Sequence, residues 1–154
     1  MKIILMSDSH GRNHLIDEIM EKHKDADAFL HCGDIECDEY VYPNMRIVRG
    51  NNDYYADFPE KMKLKMGPFR VLMLHSHLCY ARDRLTYLSK MAKEEGCDTV
   101  FFGHTHVACD KVVNGIRLIN PGSLYYSRDG RPISYCIIIV DTDMHVEFKF
   151  APFE

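Results

Sequence analysis

The chain has 154 residues, 46% hydrophobic and 27% charged, the balance of a folded globular protein, and one domain over residues 1–154 is expected. Its net charge of −4 argues against a broad nucleic-acid surface. No apolar run approaches the roughly 20 residues that span a bilayer.

The first stretch, KIILMSD, is a short apolar run that charge ends at once; it reads as a buried strand rather than a secretory leader. Leu15, Ile16, Ile19 and Met20 then recur at helical spacing, predicting a helix over 12–24. ADAFLHCGD and MRIVRGNND are two further strands, each ending in a glycine turn. KMKLKMG alternates as a half-buried strand does, Pro68 makes a turn, and RVLMLHSH is the next strand. A second helix is expected over 82–95, stopped by Gly96. DTVFFGHTH follows as a strand, then a hairpin about Asn114–Gly115, then a closing hairpin from ISYCIIIVDTDMHVEFKF. Strands mixed with helices, giving way to strands alone, predict two sheets packed face to face with helices outside. Cysteines at 32, 37, 79, 97, 109 and 136 form no CxxC pair and sit largely in apolar runs, which fits a reducing cytoplasm without disulfides. Cys32 adjoins motif residues but reads as a small packing residue.

The informative residues stand where the strands stop. Asp8 and His10 follow KIILMS, Asp34 follows AFLHCG, and Asn51 follows RIVRG. His75 follows VLML, and His104 and His106 follow TVFFG. In an open α/β sheet, ligands bind beyond the carboxyl ends of strands, so these runs can deliver seven donors to one rim. In an isolated strand His104 and His106 would point the same way. The set needs no thiolate, which argues against a structural zinc knot, and imidazole with carboxylate and amide oxygen suits Mn, Fe, Zn, Co or Ni. Seven ligands exceed what one catalytic ion with open positions takes. They suit two ions about 3.5–4 Å apart sharing a carboxylate.

In this order, DSH, GD, GN, the first His of HSH, and GHTH resemble the motifs of the calcineurin-like metallophosphoesterase superfamily. INPGS at 119–123 resembles the segment after the last motif in its small bacterial and archaeal phosphodiesterase branch, related to the retromer subunit of the same fold. The resemblance implies a four-layer α/β/β/α sandwich of two mostly mixed sheets. It implies that Asp8, His10, Asp34 and His106 hold one divalent ion and Asp34, Asn51, His75 and His104 the other, with Asp34 bridging. Manganese is the expected metal, with Zn, Ni or Fe as alternatives. The implied reaction is hydrolysis of a phosphate ester by in-line attack of a hydroxide bridging the two ions.

Asp34, His75 and Asn52 are the residues expected to carry the chemistry. Many superfamily members have His where this chain has Asn52. An amide hydrogen-bonds a phosphoryl oxygen but supplies no proton, and general acid help is worth about 10²–10⁴-fold. That departure favours diesters over simple alkyl monoesters. The expected partner is therefore a small phosphate ester, with no membrane or nucleic-acid polymer, and exposed edge strands suit a homodimer. The alternatives are a phosphomonoesterase or a protein-binding scaffold on the same fold, although scaffolds tend to lose ligands and this chain keeps all seven positions. Around the motifs, Asp53 is expected to cap a turn or pair with Arg49, and Asn120 and Ser123 to brace the histidine loop. His77 is expected to point away from His75 and to act as a support. His31 is a candidate support, and His14, His23 and His145 are expected at the surface. Arg12, Tyr54, Tyr55 and Tyr80 are read as surface or packing residues near the cleft.

Overall fold

Alternation along single strands builds the layers. In the computed structural model, which describes residues 1–153, Ile3 and Leu5 of β1 (Lys2–Met6) face a core shared with the second sheet. Ile4 and Met6 of the same strand face α1 (Asn13–Lys22), whose Ile16 and Ile19 are buried against them. Glu154, the last residue of the expected 1–154 domain, lies outside the described residues. The same split recurs on β5 (Phe69–Leu74). Val71 and Met73 turn inward, while Leu72 and Leu74 pack against Leu88 and Ala92 of α2 (Arg84–Glu94).

The first sheet also holds β2 (Ala28–His31) and β3 (Met45–Ile47), both running parallel to β1. Its other side is the antiparallel pair β9 (Ser134–Val140) and β10 (Met144–Phe150), giving the order β10-β9-β1-β2-β3. The second sheet places β4 (Lys61–Met66) antiparallel to β5, then β6 (Thr99–Phe102) and β8 (Ile116–Asn120) parallel to it. Its far edge is β7 (Cys109–Val113), in the order β4-β5-β6-β8-β7. Two mixed five-stranded sheets with a helix on each outer face are the expected α/β/β/α sandwich.

Local signals stop the elements where the sequence placed the stops. Asp83 caps α2 by accepting from the Thr86 amide at 3.2 Å, and Gly96 follows with φ 75°. Asn114 and Gly115 both take positive φ, as a two-residue hairpin turn requires. All six cysteines are free, and Cys32 is a core residue. His23 departs from expectation. It is half-buried, with Nε2 at 2.9 Å from the Tyr135 hydroxyl, because the return of β9 covers the end of α1.

Candidate metal centre

The parallel strands β1, β2 and β3 of one sheet and β5 and β6 of the other end on one rim, and the backbone stitches the loops beyond them together. The Asp8 amide donates to the Gly33 carbonyl at 3.0 Å and the His10 amide to that of Asp34 at 2.9 Å. Asp8 joins the sheets, accepting from the His104 amide at 3.0 Å and from the Ser7 hydroxyl at 2.5 Å. Asp53, fully buried, accepts from the amides of Asp34, Gly50 and Glu36 at 2.7–2.8 Å. It is therefore the turn cap of the two readings, and not a partner of Arg49.

All seven expected donors converge. Ligand atoms of Asp8, His10 and His106 lie within 4.8 Å of one another, and so do those of Asp34, His75 and His104. Asn51 joins the second group, its Oδ1 lying 3.0 Å from His75 Nε2 and 3.2 Å from His104 Nδ1. The Asp34 carboxylate faces both groups, at 3.3 Å from His75 Nε2 and 3.8 Å from His10 Nε2. Asn52 sits over it, donating its amide to Asp34 Oδ1 at 2.9 Å and its side-chain Nδ2 to Oδ2 at 3.2 Å. The two histidines of GHTH do not share a face. Strand β6 stops at Phe102, and His104 and His106 take left-handed conformations with φ 72° and 60°, which sends each ring to a different group.

The outer nitrogens fix which way the imidazoles face. His75 Nδ1 lies 2.8 Å from the Cys32 carbonyl and His106 Nδ1 lies 3.0 Å from that of Tyr126. A carbonyl only accepts, so both Nδ1 atoms carry the proton. His10 Nδ1 meets the Glu36 carboxylate at 2.6 Å with the same consequence. In the neutral rings three Nε2 lone pairs then point inward. There they meet carboxylate oxygens and one another, with His10 Nε2 and His106 Nε2 3.3 Å apart. Asp8 Oδ1 is buried without a hydrogen-bond partner, 3.3 Å from His106 Nε2 and 3.7 Å from His75 Nε2. Lone pairs turned on lone pairs repel, and cations between them remove the conflict. The donor set and the orphaned oxygen fit divalent metal.

Against its own burial, His75 is raised by Asp34 and Asp8, so without cations its Nε2 holds a proton more readily than an ordinary imidazole and a metal ion must displace it. Burial alone raises the carboxyl of Asp8, but His106, His75 and the Ser7 hydroxyl outweigh it and hold the group below its ordinary range. Asp34 is lowered as well, against its own burial, by His75 and the Asn52 amide. His104 is pushed down to about 4 by burial and by the charges of His75 and Arg84, so its ring is neutral and free to donate a lone pair. His31, buried with Nε2 2.9 Å from the Ser9 hydroxyl and Nδ1 accepting from the Gly33 amide, is driven by burial to about 3. It braces two ligand loops from beneath.

Other expectations divide. Asn120 braces the histidine loop through the Gly103 carbonyl and the Thr105 hydroxyl, whereas Ser123 instead holds the Asp8 carbonyl at 2.7 Å. His77 does not point away from His75. The strand has ended, Ser76 takes φ 80°, and the two rings lie 5.4 Å apart. Tyr54, Tyr55 and Tyr80 are exposed, and Arg12 covers the Tyr125 ring at 4.6 Å. Sequence reasoning passed over Glu36 and the segment Tyr125–Arg128. The segment walls one side of a cleft of about 120 Å³ over the ligands. Glu36 had one readable signal, an acid two residues after a ligand; the tyrosine segment had none.

The sequence matches the calcineurin-like phosphoesterase superfamily domain over residues 1–143. The chain belongs to this superfamily. A probable metallophosphoesterase of Bacillus subtilis is 35% identical over 147 residues, covering 93% of this chain and 86% of the relative. A phosphodiesterase of Methanocaldococcus jannaschii is 27% identical, covering 93% of this chain and 94% of its own. The structure of an uncharacterised Streptococcus pneumoniae protein, described as a phosphoesterase by prediction, superimposes with a TM-score of 0.88 at 30% identity. That match covers 97% of this chain and 88% of the other. Membership in a metallophosphoesterase superfamily implies divalent metal, in keeping with the two ligand groups.

Proposed function

We propose that this phosphoesterase is a phosphodiesterase with a dinuclear centre, Asp8, His10 and His106 holding one divalent ion, Asn51, His75 and His104 the other, and Asp34 both. The observation that carries the reading is the inward turn of three Nε2 lone pairs onto two buried carboxylates. When bound, such ions would lower the pKa of water and polarise a phosphoryl oxygen.

The chain's own residues do the rest. Glu36, Cys32 and Tyr126 fix the tautomers of His10, His75 and His106, so each ring presents a lone pair at one angle. Asn52 lines the cleft and offers an amide N–H to a phosphoryl oxygen without a proton to give. Its place, where a histidine stands in many superfamily members, supports the diester preference, as does the phosphodiesterase relative. Manganese is the proposed metal, the donor set suiting it along with Zn, Ni or Fe. A small phosphate ester is the proposed substrate, its phosphoryl group meeting the cleft lined by His10, Asp34, Asn52 and Arg128. Six free cysteines support a cytoplasmic location, and no helix among the described residues is long and apolar enough to cross a membrane. The hairpin strands β7 and β10 lie at sheet edges, the feature on which a homodimer is proposed.

The test uses chelator-stripped protein reloaded with Mn, Ni, Mg or Zn, assayed on bis-p-nitrophenyl phosphate and p-nitrophenyl phosphate side by side. The diester should turn over and the monoester lag, and Asn52→His should raise the monoester share. An unchanged ratio in the variant would remove Asn52 from the account of specificity; monoester turnover in the wild type would overturn the diester preference.

A further inference from the structure

Arg128 is a cation without an anion. Among the described residues it makes no ion pair, whereas nearby Arg131 pairs with Asp129 at 2.6 Å. It is also, among the described residues, the only one with a permanent positive charge lining the cleft over the ligands. Its guanidinium is exposed but held by three hydrogen bonds. Nε and Nη2 donate to the Tyr126 hydroxyl at 3.2 and 3.0 Å, and Nη1 donates to the His104 carbonyl at 3.2 Å. The backbone is held too, its amide donating to the His106 carbonyl at 3.2 Å. A guanidinium has five N–H groups. These contacts use three and leave one on each terminal nitrogen.

We propose that Arg128 is a substrate-binding residue, donating its free N–H groups to a non-bridging phosphoryl oxygen of the ester; this rests on the phosphoesterase reading of the site. Three features join here. The charge is permanent and unspent, so an oxyanion gains a charge-assisted bond that displaces no existing partner. Two anchors hold the plane before substrate arrives, so little side-chain entropy is lost on binding. Those anchors are the carbonyl of one metal-ligand candidate and the residue whose carbonyl orients another, so the cation is registered to the ligands themselves. With an amide at Asn52, a fixed guanidinium is the chain's means of stabilising charge on the transferring phosphoryl group.

The experiment is calorimetric titration of inorganic phosphate into manganese-loaded protein, with metal content measured on the same samples. Phosphate affinity in Arg128→Ala should fall about 10- to 100-fold, the worth of one charged hydrogen bond, at unchanged metal content. Added guanidinium should recover part of the loss. Arg128→Lys should fall between the two, having the charge without the fork. Wild-type affinity in Arg128→Ala would overturn the proposal, as would a loss of affinity that merely follows loss of metal. The titration needs no turnover. A wild type that binds phosphate through Arg128 but cleaves no diester therefore overturns the phosphodiesterase reading and leaves this one standing, while diester turnover with no change in Arg128→Ala does the reverse. A wild type that binds no phosphate overturns this proposal, and diester turnover then decides the phosphodiesterase reading separately.

Discussion

His10 shows how one side chain is given two duties. Its Nδ1 proton goes to Glu36 at 2.6 Å, which commits Nε2 to the site as a lone pair 3.3 Å from His106. Glu36 is thereby a positioning residue, and its carboxylate makes the ring a stronger donor. Its backbone is held in a left-handed conformation, φ 59°, with its amide bound to Asp53. Glu36→Gln keeps the shape but not the charge, and should lower metal affinity about 10–100-fold, the usual cost of losing such a partner. Competition with a chelator checks this, and an unaltered affinity would show that the tautomer of His10 is fixed without Glu36. The ligands were legible in the sequence because each follows an apolar run. Glu36 was legible only as an acid two residues after a ligand, and Arg128 not at all, because each lies in a loop without periodicity and is given its role by a chain segment distant in sequence.

At the scale of elements, the strands aim the ligands and the turns after them do the placing. Asp8, His10, Asp34, His104 and His106 all have positive φ, a conformation that costs a non-glycine residue of order 1–3 kcal/mol. That strain is held by the hydrogen bonds between loops, from Asp53 above all. Glycine appears where two loops touch. A Cβ at Gly103 would come within 2.1 Å of Ser7 Oγ and 2.7 Å of an Asp8 carboxylate oxygen. Gly103→Ala should therefore destabilise by about 1–3 kcal/mol, as forced overpacking does, and displace Asp8 so that metal affinity falls as well. Urea unfolding of the chelated protein reads the first and metal titration the second; wild-type values in both would mean the two loops have slack. The strand boundaries could be read from alternation and turn residues. The turn of His77 toward His75 could not, because it depends on where β5 stops and on the left-handed Ser76.

The whole molecule makes the rim. Each sheet carries three parallel strands, β1, β2 and β3 in one and β5, β6 and β8 in the other, and the ligand loops leave their carboxyl ends on the same side. Face-to-face packing through Ile3, Leu5, Met73 and Phe101 sets the distance across that rim, so Asp8 from one sheet reaches His104 from the other. The layer order followed from helices early in the chain and strands late. Which strand neighbours which did not, since β8 pairs with β6 and not with the strand that follows it, and no local pattern encodes that. In the proposed centre one carboxylate, that of Asp34, serves two ions. Metal content after equilibrium dialysis against manganese, measured by mass spectrometry, tests it most directly. Two ions per wild-type chain are expected, and one or none in Asp34→Asn with the fold intact by circular dichroism; a single ion per wild-type chain, or two in Asp34→Asn, would rule out a dinuclear centre bridged by Asp34.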